Sequence, residues 1–388
     1  MQKNQGSSLL TREVKMLFFS ILLTLGVCDC LAQKQKSTLR DTLDNKLDCS
    51  HYLVNMNGVI PLPIIISEPA LGNFGGALAL LFISPHKNVK DSSRFRFPDI
   101  TGVAGFYTLN DSWGIAGFRQ GSFPSLGLRY TAALAYPSIN LNFYREIPPE
   151  SEKEFEFNLT PVFVLADVNK NVYKNKFFFG TRYLLANVKV ERNFSTRTDT
   201  IFDKGAYDKN IGTWGLYGEF ENRNSIFTPD RGFRVKSVYS LSRSWTGSDF
   251  DFEKYELFAF AFFQPTKPWV IGLRAESQSV NDGAPFYSFP YITMRGIPIM
   301  RYQGNSTLVF ETENRYDITT RWSAVGFAGA GRTFSDSEFL EDKSWHWSGG
   351  AGFRYLLARV FKLRIGIDIA AGPDQLAYYI VFGHYWSR

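Results

Sequence analysis

The chain reads as a transmembrane antiparallel β-barrel of about sixteen strands. Three observations lead there. Segments of about ten residues alternate apolar with polar side chains, and that is the span a tilted strand needs to cross a bilayer. Aromatic residues crowd the ends of those segments. Connections alternate between tight turns and longer polar loops, as they do when hairpins follow one another around a ring.

Composition narrows the field. The 388 residues include 36 Phe, 19 Tyr and 8 Trp, with 44% hydrophobic and 21% charged residues, which excludes a disordered chain. Three cysteines exclude a disulfide scaffold. No apolar run reaches the roughly 18 residues of a membrane-spanning helix. A formal charge of +6 calls for no nucleic-acid partner.

The N-terminus carries an export signal. Arg12 and Lys15 precede the apolar stretch 16–32, which closes on Cys30-Leu31-Ala32 before Gln33, a small-x-small cleavage site. Residues 1–32 are therefore expected to be a signal peptide. A lipoprotein signal at Cys28 or Cys30 is the alternative, and Asp29 beside Cys30 speaks against it. Residues 33–60 follow as a short polar periplasmic segment, and 61–388 as the barrel. Cys49 and His51 fall in that polar segment and read as ordinary residues, not as a catalytic pair.

The strands show their faces in the pattern itself. In Lys362-Leu363-Arg364-Ile365-Gly366-Ile367-Asp368-Ile369 every odd position is a branched aliphatic and the even ones are Lys, Arg, Gly and Asp. Phe233, Val235, Tyr239 and Leu241 likewise oppose Arg234, Lys236, Ser240 and Ser242. A soluble sandwich also alternates, but its strands run nearer five or six residues. Trp113, Tyr130, Tyr136, Trp269, Tyr316, Trp322, Tyr355 and Trp386 stand near segment ends, where interfacial girdles belong.

Sixteen segments follow: 73–83, 98–108, 111–119, 124–135, 138–146, 154–166, 175–191, 211–223, 229–243, 250–263, 268–280, 303–316, 320–332, 346–357, 361–371 and 376–386. Even-numbered segments end in tight turns such as Asn110-Asp111, Pro137-Ser138 and Thr319-Thr320. Odd-numbered ones end in longer polar loops at 86–96, 147–152, 195–210, 281–302 and 333–345. Short turns would then be periplasmic and long loops extracellular.

Met294-Arg295-Gly296-Ile297-Pro298 sits in the longest loop, with eleven segments before it and five after. Gly304-Asn305-Ser306 then opens a strand containing Glu311-Thr312-Glu313-Asn314-Arg315, and Phe327-Ala328-Gly329-Ala330-Gly331 follows in the next. This succession resembles the BamA/TamA superfamily of outer-membrane barrels (the bacterial surface antigen family). That family has sixteen strands, an Arg-Gly motif in its sixth extracellular loop, a Glu-x-Arg strand and a Phe-x-Asp-x-Gly strand. The resemblance covers about residues 60–388 and implies that the loop arginine, here Arg295, folds into the lumen and locks on inner-wall carboxylates.

Strand parity puts Glu311, Glu313 and Arg315 on one face, so Glu313 or Glu311 is the expected partner of Arg295. Gly329 stands where the family often has Asp, which removes a second partner. Residues 33–60 leave no room for a POTRA domain, so the resemblance is to a barrel-only subgroup. No Gly-x-Ser-x-Gly nucleophile motif is present.

The resemblance implies a barrel that assists insertion or translocation of proteins or lipids through a weak seam between first and last strands. Gly72, Gly75 and Gly76 in the expected first strand and Gly383 in the last would soften that seam. A passive pore or a structural subunit of a membrane complex is the alternative. An enzyme is not expected: the four histidines His51, His86, His346 and His384 form no metal or catalytic spacing, and no cofactor is implied. Expected partners are outer-membrane lipid and client outer-membrane proteins. Lys87, Lys90 and Arg94 in the first long loop suit either contact with lipopolysaccharide phosphates or an ordinary solvated loop.

Overall fold

The computed structural model describes residues 39–55, 58–84, 99–147, 150–192, 207–335, 344–373 and 375–386. The signal peptide expected over 1–32 lies outside the described residues. Sixteen strands form one sheet: β1 (Gly58–Ile66), β2 (Gly75–Ser84), β3 (Asp99–Thr108), β4 (Trp113–Phe123), β5 (Leu128–Ile147), β6 (Glu150–Tyr173), β7 (Phe177–Arg192) and β8 (Lys209–Glu221). The second half comprises β9 (Gly232–Ser242), β10 (Phe252–Thr266), β11 (Trp269–Val280), β12 (Ser306–Asp317), β13 (Trp322–Phe334), β14 (His346–Ala358), β15 (Leu363–Ala371) and β16 (Leu376–Phe382). Each pairs antiparallel with the next, giving a nearly closed barrel. A six-residue helix, α1 (Ser50–Asn55), precedes β1.

The alternation fixes which face meets lipid. Leu273, Phe310, Phe353, Ile367 and Ile369 are exposed, while their neighbours Arg274, Glu311, Arg354 and Asp368 are buried. An apolar outer face needs no water, and strand-to-strand pairing satisfies backbone groups that hydrocarbon cannot.

Two expected segment boundaries are corrected, and they compensate. The expected polar segment ends at residue 60 and the first expected strand begins at 73, yet Gly58–Ile66 forms β1, in unbroken register with β2 from Gly58↔Ile83 to Ile66↔Gly75. Pro61 and Pro63 obscured it, since proline cannot donate to a ladder. Residues of one parity point their N–H groups to one side, so the intact β1–β2 ladder turns both prolines toward the opposite edge, where proline is tolerated.

The second correction joins 124–135 and 138–146 into the single strand β5. Pro137-Ser138 is no turn: Pro137 pairs with Gly114 of β4 inside a continuous ladder. The count of sixteen survives, but the first three segments move up one place. The connection after Thr108 therefore belongs to the long-loop rim. Lys87, Lys90 and Arg94, between β2 and β3, lie outside the described residues.

A third departure concerns the interior. β5 and β6 are 20 and 24 residues long, about twice what a tilted crossing requires. Toward the long-loop rim their inward positions turn apolar. Leu141, Phe143, Phe155, Phe157 and Leu159 form a buried cluster with Val188, Val190 and Phe286 of the 281–305 connection. Phe143 meets Phe157 at 5.4 Å and Phe286 at 5.0 Å between ring centroids, both edge-on. The polar interior thus gives way to a dry apolar core at that end.

Candidate functional site: the arginine cluster of the 281–305 connection

Arg295 is fully buried, and Met294 and Ile297 beside it are nearly so. Its Nη1 lies 2.8 Å from Glu313 of β12 and 2.6 Å from Asp368 of β15, and the Asp368 contact is a hydrogen bond. Its guanidinium carbon stands 3.5 Å over the Phe327 ring centroid and 4.6 Å over that of Tyr385. A planar cation held against two rings and two carboxylates is fixed in orientation as well as position. Arg354 of β14 supplies further counter-charge by pairing with Asp368 through both terminal nitrogens.

Gly296 is at φ 86, which favours glycine, and a Cβ there would come 2.9 Å from the Gly372 backbone nitrogen. Its N–H donates to the Tyr379 hydroxyl of β16 at 2.9 Å. The connection is therefore attached to the two strands that end the sheet.

Glu311 and Arg315, expected beside Arg295, have other partners. Glu311 pairs with Arg274 of β11 and accepts from the Trp386 indole at 3.0 Å. Arg274 also binds Glu276 and donates to the Thr293 carbonyl at 2.8 Å, a second tie to the connection. Arg315 reaches Asp230 at 2.5 Å and Asp317 at 3.1 Å, nearer the short-turn rim.

Gly329 and Gly331 line the site as empty space that others fill. A Cβ on Gly329 would sit 2.5 Å from Glu311 Cγ and 3.0 Å from the Met294 sulfur, and one on Gly331 would sit 2.8 Å from Ile292. An aspartate at 329 has no room. The carboxylate expected there is supplied from β15 by Asp368, which sequence spacing did not single out although its alternation put it on the polar face.

The seam glycines are corrected. Gly75 and Gly76 lie in β2, paired with Ile66 and Ile65 of β1 and with Thr108 and Tyr107 of β3, and Gly72 lies in the β1–β2 connection. None stands on the β1–β16 edge. Gly383, at φ 79, ends β16 four residues earlier than expected and turns the chain inward. The His384 N–H then bonds the Phe227 carbonyl at 2.9 Å, and Trp386 packs on Phe260 and Phe262 of β10.

Between β1 and β16 no backbone ladder joins the described residues. Across that edge the Ile380 N–H donates to Ser67 Oγ at 3.3 Å and the Tyr378 hydroxyl to the Asn73 carbonyl at 2.9 Å, both acceptors lying just past the end of β1. Among the described residues no group of three His, Cys, Asp or Glu is disposed to hold a metal.

No family model matches the chain, and no curated protein matches its sequence. Solved structures do. BamA from Haemophilus ducreyi lacking POTRA domains 1–3 is 12% identical with a TM-score of 0.60, over 84% of this chain and 70% of that one. CdiB from Escherichia coli is 11% identical at TM-score 0.60, over 83% of this chain and 61% of that one, so this chain spans about three-fifths of CdiB's length. At such identities the likeness shows the fold. The protein is an outer-membrane β-barrel. Its architecture is BamA-like.

Proposed function

We propose that this barrel assists insertion or translocation of proteins, or of lipids, at the outer membrane by parting its β1–β16 seam, with the 281–305 connection locked in the lumen by Arg295. It is read as a non-enzymatic relative of the BamA/TamA type whose partners are membrane lipid and client outer-membrane proteins. The observation that carries this is the seam. Every other neighbouring pair of strands shares a ladder, whereas β1 and β16 meet through side-chain contacts. A strand edge without backbone partners is the feature an incoming strand can use. A passive pore fits less well, because side chains of the 281–305 connection and of the tail ending at Trp386 are buried against inward-facing residues of the strands.

A seam lock tests the reading. With Ser67→Cys and Ile380→Cys in a Cys49→Ser background, oxidation is expected to cut incorporation of an unfolded outer-membrane protein into proteoliposomes at least about tenfold, a barrier change of about 1.4 kcal/mol. Reduction should restore it. Unchanged incorporation with the disulfide formed, or a large steady conductance from the unlocked protein in planar bilayers, would overturn the proposal.

A further inference from the structure

The polar segment ahead of β1 makes a dense ionic contact with the short-turn rim. Arg321, in the turn between β12 and β13, is almost fully buried and uses all five of its N–H groups. Its Nε donates to Asp44 at 2.6 Å, and Nη1 donates to Asp48 at 2.6 Å and the Leu356 carbonyl at 3.1 Å. Nη2 donates to Asp41 at 2.6 Å and to Asp44 at 2.9 Å. Arg359, in the turn between β14 and β15, holds Asp41 from the other side at 2.5 Å. Backbone bonds complete the attachment: Cys49 N–H to the Leu357 carbonyl at 2.7 Å, and Val360 N–H to Ser50 Oγ at 3.1 Å.

This segment is anchored on one flank of the seam and continues covalently into the other. From Ser50 the chain passes through α1 and enters β1 at Gly58. α1 spans about 9 Å at 1.5 Å per residue, and the few residues after it add at most about 10 Å. β1 stands two strand spacings from β15, also about 10 Å. The link reaches about 19 Å at most, so it keeps the foot of β1 within about two further strand spacings of its place beside β15.

β16 cannot do this job. Ile380 meets Ser67, so counting antiparallel from that contact puts Phe382, the last residue of β16, opposite Ile65. The stretch from Gly58 to Ile64 then faces no residue of β16, and Pro61 and Pro63 remove two donors from that edge. Nothing in the ladder holds the foot of β1 to the end of the sheet.

We propose that residues 39–50 are a strap that pins the foot of β1 to the β12–β15 turns, so that the seam parts by hinging about the short-turn rim. The inference rests on the seam reading above, and it identifies Arg321 as the residue that positions β1. Spin labels at Val59→Cys in β1 and Ile367→Cys in β15, both exposed on the outer wall, report the distance across the seam in a Cys49→Ser background. Labels at Leu273→Cys and Phe353→Cys serve as the reference pair.

In Arg321→Gln the β1–β15 distances are expected to lengthen and broaden while the reference pair keeps its distribution. The triple variant Asp41→Asn, Asp44→Asn, Asp48→Asn should do the same, and it carries the test if Arg321→Gln does not fold. An unchanged β1–β15 distribution would overturn the strap, and so would broadening of both pairs, which would make the cluster a general brace. No client protein enters this measurement. The strap can therefore stand while insertion activity fails, or fall while it succeeds.

Discussion

At the residue scale, Arg295 and Asp368 form a buried pair in which each charge depends on the other, with Glu313 and Arg354 balancing the set. Removing one partner of such a pair leaves an uncompensated buried charge, at a cost of about 3–5 kcal/mol. Arg295→Ala is therefore expected to lower the thermal unfolding midpoint and to expose the 281–305 connection to protease. Arg295→Lys should rescue only part of the loss, because an ammonium cannot lie flat on Phe327 and Tyr385. Full rescue by Lys, seen in the melting curve, would deny the rings a role. Gly329→Asp is expected to destabilise by about 1–3 kcal/mol through overpacking against Glu311 and Met294, although it restores the residue the resembling family often carries there. A neutral melting curve for that variant would show that Glu311 yields. Arg295 and its carboxylates on β12 were legible in the sequence. Asp368, Arg354 and Tyr385 were not, because pairing across three strands leaves no mark in local spacing.

At the element scale, proline explains both what was read and what was missed. Alternation located most of the strands to within a few residues, since one hydrocarbon face is visible wherever a strand crosses lipid. Pro61 and Pro63 hid an edge strand, and Pro137 passed for a turn inside a strand of 20 residues. Proline has two meanings here: interruption of a central ladder, or occupation of an edge that has no ladder to interrupt. β1 illustrates the second, and a consequence follows. Pro61→Val with Pro63→Val gives the seam edge two new donors. Because Phe382 ends β16 opposite Ile65, those donors find no acceptor across the seam, so hydrogen exchange in peptides covering β1 is expected to stay as fast as in the unaltered chain and seam-dependent incorporation to hold. Slowed exchange would mean that the chain after Phe382 reaches back along β1. The apolar cluster around Phe143 was illegible for another reason. Inward apolar residues at the end of a long strand look like any other alternation until the strand is known to extend beyond the bilayer.

At the scale of the whole molecule, three ties among the described residues hold the ends of the sheet to its middle. The 281–305 connection reaches β15 and β16, the tail after Gly383 reaches β10 and β12, and the 39–50 strap reaches the β12–β15 turns. Only the strap stands at the barrel foot and depends on three carboxylates, so its pH dependence has a defined sign. The bond from Arg359, helped by the Leu43 N–H, holds Asp41 down to about 2. Asp44 is lowered chiefly by its bond from Arg321. Burial pushes Asp48 upward, but bonds from Ser50 and Arg321 outweigh it and leave it lowered. Cys49 nearby is raised, chiefly by burial, and so remains neutral where the carboxyls titrate. A carboxyl lowered on folding contributes stability that is complete above its unfolded value, near 4, and disappears as pH falls through its folded value. The strap should therefore stay fastened from about pH 8 down to about pH 5 and loosen only between about 4 and 2. Rate-corrected hydrogen exchange of the Cys49 and Val360 amides, each bonded across the strap, is the measurement. Protection lost already between pH 7 and 5 would show that histidine, not this carboxylate set, fastens the foot of the barrel.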